Sequence, residues 1–359
     1  MIAPPAPRPL APAAGIDWGA VESIAVLRAL QLGDLLCAVP ALRALRAAAP
    51  RARITLVGLP WAQSFAARFA CYIDDFLALP GFPGLPEHAP DLAAIPAFFA
   101  AAQERRFDLA LQMHGSGGLS NPLAVLLGAT RTAGYYRPGE YCPEPATFLP
   151  WPEREHEVLR CLRLVEGLGA PACGTRLEFP VAQAERDALR RAAPELPPPG
   201  SYACVHPGAR LASRRWMPER FAEVADRLAG AGLGIVLTGS AGEAGLTDAV
   251  RRAMRHPALD LAGRTGLGEL AALLADARLL VCNDTGVSHV AAALGTPSVV
   301  VCNGADPERF APLDNARHRV LHATVDCRPC LHEQCPLEGH PCAAGVDAAQ
   351  VGAAAAALL

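Results

Sequence analysis

The feature that most constrains this chain is an alternation, run twice, between short apolar segments and amphipathic helical ones. Residues 23–28, Arg53–Gly58 and 108–113 read as strands. Between the first two lies a long helix over 34–49, with Leu35, Leu36, Val39, Leu42 and Leu45 on one side. Further helices are predicted over 61–69, 95–105 and 153–168. The proline-rich stretch 194–200 is the clearest interruption. The alternation then restarts, with strands at Tyr202–His206, 234–238, 258–261, 279–282 and Ser298–Val301. Near-continuous apolar strands separated by helices are the pattern of parallel sheets covered on both faces. Two such runs predict an α/β chain of two doubly wound, Rossmann-like domains facing across a cleft. The expected division is a disordered leader over 1–22, a first domain over 23–180, a second over 181–345 and a C-terminal helix over 346–359.

Composition narrows the chemistry. The 359 residues suffice for two domains of ordinary size. A net charge of −3 gives no reason to expect a nucleic-acid partner. The sequence contains no lysine, so all 32 basic residues are arginine. A Walker A loop and a pyridoxal Schiff base both need lysine, and both are excluded. Any phosphate clamp must use arginine, backbone N–H groups or helix termini. No apolar run reaches the ~18 residues of a membrane span. Prolines break the N-terminal segment 1–10, which lacks the apolar centre of a secretory signal. These features predict a cytoplasmic protein.

Ligands of doubly wound sheets bind at the carboxyl ends of the strands, which directs attention to four loops. The most informative is 283–289, Asn-Asp-Thr-Gly-Val-Ser-His, at the end of an apolar strand and the start of a helix that stops at Gly295. Free N–H groups and the positive end of the helix dipole make such a turn an anion site. Asp284 and Thr285 suit the cap, and Ser288 and His289 add donors. An ordinary capped helix would read the same way. The loop after the first strand holds Gly33 and Asp34, where a carboxylate is held ionised by the helix dipole and serves as either a cap or a base. The loop after 202–206 carries His206, Pro207 and Gly208, followed by Arg214 and Arg215, which suit a diphosphate. The loop after 234–238 carries Thr238, Gly239, Ser240 and Glu243, suited to phosphate, ribose or plain capping. In the first domain Arg28, Gln112 and His114 lie at strand ends and could face an acceptor.

Three of these segments together resemble glycosyltransferase family 9, which includes the ADP-heptose:lipopolysaccharide heptosyltransferases. They are 26–34 with Pro40-Ala41-Leu42 behind it, His206-Pro207-Gly208 followed by 214–221, and 284–289 followed by 292–295. The resemblance spans 23 to about 345 and implies a GT-B fold, with an acceptor-side first domain and a second domain that holds a nucleotide sugar. It implies an inverting transfer without a catalytic metal, from ADP-heptose to a lipopolysaccharide-type or other lipid-linked glycan. It places Asp34 at the general base and Asp284, Thr285, Gly286 and His289 at the donor-phosphate turn. Glu243 falls near the residue that holds donor ribose. Arg214 stands where many members carry lysine, which keeps the charge but changes its geometry. Membrane contact, at the inner face of the bacterial inner membrane, would be peripheral at most.

Four of the twelve cysteines cluster as Cys327-x2-Cys330-x4-Cys335-x6-Cys342. In a reducing compartment this spacing fits a structural zinc or iron site, with His332 and His340 as alternative ligands, or a set of reduced or partly bridged thiols. Two other functions use the same scaffold: a nucleotide-sugar epimerase, which needs no acceptor, and a non-catalytic binding protein.

Overall fold

The computed structural model describes residues 15–359, so most of the expected leader lies outside the described residues. The chain divides after Thr175 into two compact units.

The first unit is built on six strands: β1 (Ser23–Leu27), β2 (Arg53–Gly58), β3 (Asp75–Ala78), β4 (Leu109–Gln112), β5 (Arg131–Tyr136) and β6 (Phe148–Pro150). They are parallel throughout, in the order β3-β2-β1-β4-β5-β6. Ile24 lies opposite both Ile54 and Leu109, so the first strand is flanked on both sides. The helix Leu32–Ala48 follows β1 and buries Leu35, Leu36, Val39, Leu42 and Leu45, the residues its periodicity marks. Its partner is the helix Glu157–Gly167. The end of the expected leader belongs to this unit. Ile16 is buried, and the Trp18 indole donates to the Leu168 carbonyl at 3.1 Å. An indole with an apolar body and one satisfied N–H docks well on a helix end, which is why order begins before residue 23.

The second unit repeats the plan with β7 (Tyr202–His206), β8 (Gly234–Leu237), β9 (Leu259–Asp260), β10 (Leu279–Asn283), β11 (Ser298–Val301) and β12 (His318–Leu321). The order is β12-β11-β10-β7-β8-β9, again all parallel. Counted from its own first strand, each sheet runs 3-2-1-4-5-6, the doubly wound order. The winding reverses between β1 and β4 and between β7 and β10. At those two points the connecting helices diverge and leave room at the carboxyl ends of the strands.

The core of the second unit gathers Trp216 and Phe221, ring centroids 5.0 Å apart, with Val224 and Leu228 of the helix Pro218–Gly230. Each such side chain contributes about 1.5–3 kcal/mol by burial. The C-terminal helix Ala348–Ala356 packs Val351 and Ala355 into the same core, so it is part of this unit. The helix Gln183–Ala192 also belongs here, through an Arg186–Asp276 ion pair at 3.0 Å. The proline-rich stretch 194–200 is therefore a connection inside the second unit. Among the described residues no helix is long and apolar enough to cross a membrane.

Candidate functional site

In the second unit the end of β10 and the loop after β7 meet at one side chain. Asn283, the last residue of β10, is fully buried. Its Oδ1 accepts from the backbone N–H of Trp216 at 2.9 Å, and its Nδ2 donates to the carbonyl of Pro207 at 2.8 Å. One carboxamide thus fixes both ends of the loop that carries Gly208 and Arg214. An amide with both ends satisfied is inexpensive to bury and rigid once buried.

The neighbours of this knot are the residues singled out from the sequence. His206 and Thr238 are buried at the ends of β7 and β8, with Nδ1 3.0 Å from the threonine hydroxyl. Burial pushes the His206 imidazole below its ordinary range, against a smaller opposing pull from Glu243. Glu243 ends a short turn of helix, Ala241–Glu243, where its Oε2 accepts from both the N–H and the hydroxyl of Ser240 at 2.8 Å. Gly208 lies directly against it: a Cβ built there would stand 2.2 Å from Glu243 Oε1. A side chain at 208 would have to displace that carboxylate, the far end of the Glu243 side chain. Gly239 is packed in the same way, 3.2 Å from the Glu243 Cβ.

Asp284 follows Asn283 and lies 3.7 Å from Arg214 Nη1. Burial pushes its carboxyl above the usual range, while His289, Arg214 and Arg328 pull it back down. The helix Gly286–Leu294 starts two residues later and ends at Gly295 in the left-handed conformation, φ 75°. Thr285 holds the N-cap position without a side-chain cap bond. Asp284 and Thr285 therefore do not cap this helix as the sequence suggested. Its first N–H groups have no side-chain cap, and these are the groups that bind anions at helix starts.

In the first unit the helix begins at Leu32, so Asp34 lies within its first turn and Gly33 is buried beneath. The Arg28 guanidinium grips this turn. Nε and Nη2 donate to the Asp34 carbonyl at 2.9 and 2.7 Å, Nη1 to the Met113 carbonyl at 2.5 Å, and Nη2 to Glu157 at 3.0 Å. Glu157 also binds Arg160 at 2.6 Å, and all three side chains are buried.

Arg28, Gln112 and His114, expected on the acceptor side, are all buried and engaged within the first unit. Gln112 binds Ser120 and Asn121 at 2.6 and 3.0 Å. His114 Nδ1 accepts the Ala29 N–H at 3.2 Å, which places the ring proton on Nε2, 3.7 Å from Glu87. A strand-end polar residue faces solvent only when no neighbouring backbone claims it, and here the β1 and β4 loops claim each one.

The structure gives no support to a metal centre in the cysteine-rich loop. Among the described residues no group of three or more His, Cys, Asp or Glu could hold a metal ion. None of the twelve cysteines is bridged by a disulfide. Cys342 is buried at the head of the helix Pro341–Ala344, whereas Cys327 is exposed. The loop is organised by other groups. Cys330 donates its N–H to the Gly304 carbonyl at 2.7 Å, and Ser213 donates its N–H to Glu333 at 3.0 Å and its hydroxyl to His332 at 2.5 Å. His340 Nε2 lies 2.8 Å from the Ser213 carbonyl.

Sequence reasoning missed Asn283 as the hub, although an amide ending an apolar strand is a visible signal. It also missed Glu157 and Arg160, for which local sequence offers none.

Comparison with known proteins agrees with this geometry. The profile of glycosyltransferase family 9 (heptosyltransferase) matches residues 97–340. No curated protein matches the chain. Among solved structures, the family 9 glycosyl transferase of Veillonella parvula DSM 2008 is similar at 22% identity and a TM-score of 0.76, over 96% of this chain and 99% of that one. The E. coli ADP-heptose lps heptosyltransferase II is similar at 21% and 0.72, over 94% and 98%. The E. coli heptosyltransferase WaaC, solved with ADP, is similar at 20% and 0.61, over 92% and 95%. These likenesses establish the two-sheet GT-B fold.

Proposed function

This chain belongs to glycosyltransferase family 9, and from that premise we infer that it moves heptose from ADP-heptose to a lipopolysaccharide-type glycan acceptor, by an inverting displacement that needs no metal. The observation that carries this reading is the cluster knotted by Asn283. It sets Arg214 beside Asp284 at an uncapped helix start, with Glu243 lodged against Gly208 nearby. The cluster suits a nucleoside diphosphate: cation and N–H donors for the phosphates, and a carboxylate for ribose hydroxyls. The E. coli enzymes named above are described with ADP or as ADP-heptose enzymes, which favours adenine and heptose here too.

Displacement at the anomeric carbon expels a diphosphate and requires the acceptor hydroxyl to lose its proton. Asp34 takes that proton as general base. Attack on the face away from the departing diphosphate inverts the anomeric centre. Arg214 and the N–H groups at Gly286 receive the charge that develops on the departing phosphate. In a chain without lysine this falls to a guanidinium, whose planar fork can hold two oxygens at once. The protein works in the cytoplasm and meets a lipid-linked acceptor by peripheral contact.

The test is Asp34→Asn, assayed for ADP release from ADP-heptose with and without a lipid A-core acceptor. We expect acceptor-dependent release in the wild type. In the variant, release falls at least ~100-fold, the usual weight of a general base, and ADP binding is unchanged. Turnover retained by Asp34→Asn would remove it as the base. Conversion of the sugar nucleotide without acceptor would mark an epimerase instead.

A further inference from the structure

The cysteine-rich loop brings Arg328 to the carboxyl end of β11. Its Nη2 donates to the Cys302 carbonyl at 3.0 Å. Nε and Nη1 of the same guanidinium are buried and have no hydrogen-bond partner among the described residues. Arg214 repeats the condition, with its Nε also buried and without a partner. Buried donors left unmade are costly, so these three call for an acceptor. Both arginines act on the Asp284 carboxylate, whose 3.7 Å from Arg214 is too long for a hydrogen bond. Two guanidiniums and an uncapped helix start thus converge on the buried Asp284.

The loop is also wired to its neighbour. Ser213, the residue before Arg214, is held by Glu333, His332 and His340, all in the cysteine-rich segment. Asn303, fully buried just beyond β11, reaches the Arg214 carbonyl at 3.5 Å. The two arginines are thus carried by segments that brace each other. An acceptor that satisfies both must offer several anionic oxygens within a few ångströms, as a diphosphate does.

We propose that Arg328 is a second arginine ligand for the diphosphate of the nucleotide sugar, delivered by the cysteine-rich loop to act beside Arg214. This rests on the transferase reading above and adds a binding residue that the sequence motifs do not contain. It also gives the cysteine-rich loop a task that needs no metal.

The test compares Arg328→Gln and Arg328→Lys with the wild type, titrated with ADP, AMP and adenosine by saturation-transfer NMR, which reads weak affinities. UDP and GDP are run in parallel on the wild type, and near-UV circular dichroism checks the fold. We expect Arg328→Gln to weaken ADP binding at least tenfold and adenosine binding less than twofold. Arg328→Lys should recover part of the loss, since it restores the charge without the fork. Equal loss for ADP and adenosine would assign Arg328 a structural role and overturn the proposal. Unchanged ADP binding by Arg328→Gln would overturn it alone. A wild-type protein that binds none of the three nucleoside diphosphates would bring down the transferase reading as well.

Discussion

Replacing Glu157 with glutamine should destabilise the first unit out of proportion to a one-atom change. Glu157 is 3% exposed, and each of its oxygens serves one buried guanidinium, Arg28 at 3.0 Å and Arg160 at 2.6 Å. Glutamine keeps the shape but points an NH2 donor at one arginine and removes the single negative charge that the two share. Breaking a buried ion pair by removing one partner costs about 3–5 kcal/mol. Against a total stability of about 5–15 kcal/mol, that is a large share. For a unit of this size each kcal/mol moves Tm by about 2–4 °C, so the transition of the first unit should fall by about 10 °C. Differential scanning calorimetry of the whole protein would read it. The triple variant Arg28→Met, Glu157→Leu, Arg160→Met removes all three charges together and should recover part of the loss, because no uncompensated charge stays buried while the Asp34 and Met113 carbonyls lose their Arg28 donors. A melting temperature for Glu157→Gln within about 2 °C of the wild type would refute the reasoning: the charges would then not be desolvated as described.

Two further outcomes follow from the same coordinates. Burial, with a smaller push from Arg28, lowers His114 from its ordinary range to about 4. The unfolded chain therefore binds a proton near pH 6.5 that the folded chain refuses until about pH 4, and stability falls as pH drops through that window, by about 3 kcal/mol in all. Urea unfolding between pH 7 and 4 should show this slope reduced in His114→Gln relative to the wild type. Gly208→Ala puts a methyl group where Glu243 Oε1 lies, at 2.2 Å, and must dislodge a carboxylate tied twice to Ser240. Steady-state kinetics should show a donor KM raised several-fold, with kcat changed less; an unchanged KM would separate Glu243 from the donor.

The doubly wound plan was legible because the inner strands announce themselves. All five residues of β7 and of β10 are buried, and such strands read as unbroken apolar runs. The outer strands were harder. Asp75–Ala78 carries no fully buried residue, and Phe148–Pro150 is three residues long, so neither has a period to detect. The start of the first helix was misplaced by two residues because its N-cap, Gln31, makes no side-chain cap bond and gives no signal. Proline content pointed to 194–200 as the clearest break, yet the helix before it is held to the second unit through Arg186 and Asp276. In the site, the loops were visible one at a time because each is local. What joins them was not: Arg28 meets Glu157 across 129 residues, and Asn283 meets Trp216 across 67. Pairings at such range are decided by the sheet order and leave no spacing in the chain to read.

The Asn283 amide has a practical consequence for anyone recombining enzymes of this fold. The segment 206–217 and the end of β10 share that one group, so neither can be exchanged alone. A chimera that imported only the first would arrive with an N–H at 216 and a carbonyl at 207 whose counterparts had stayed behind in the parent. Donor preference in this architecture should therefore transplant as a complete cassette, strand terminus included, and piecemeal grafts should yield poorly folded protein before they yield altered selectivity.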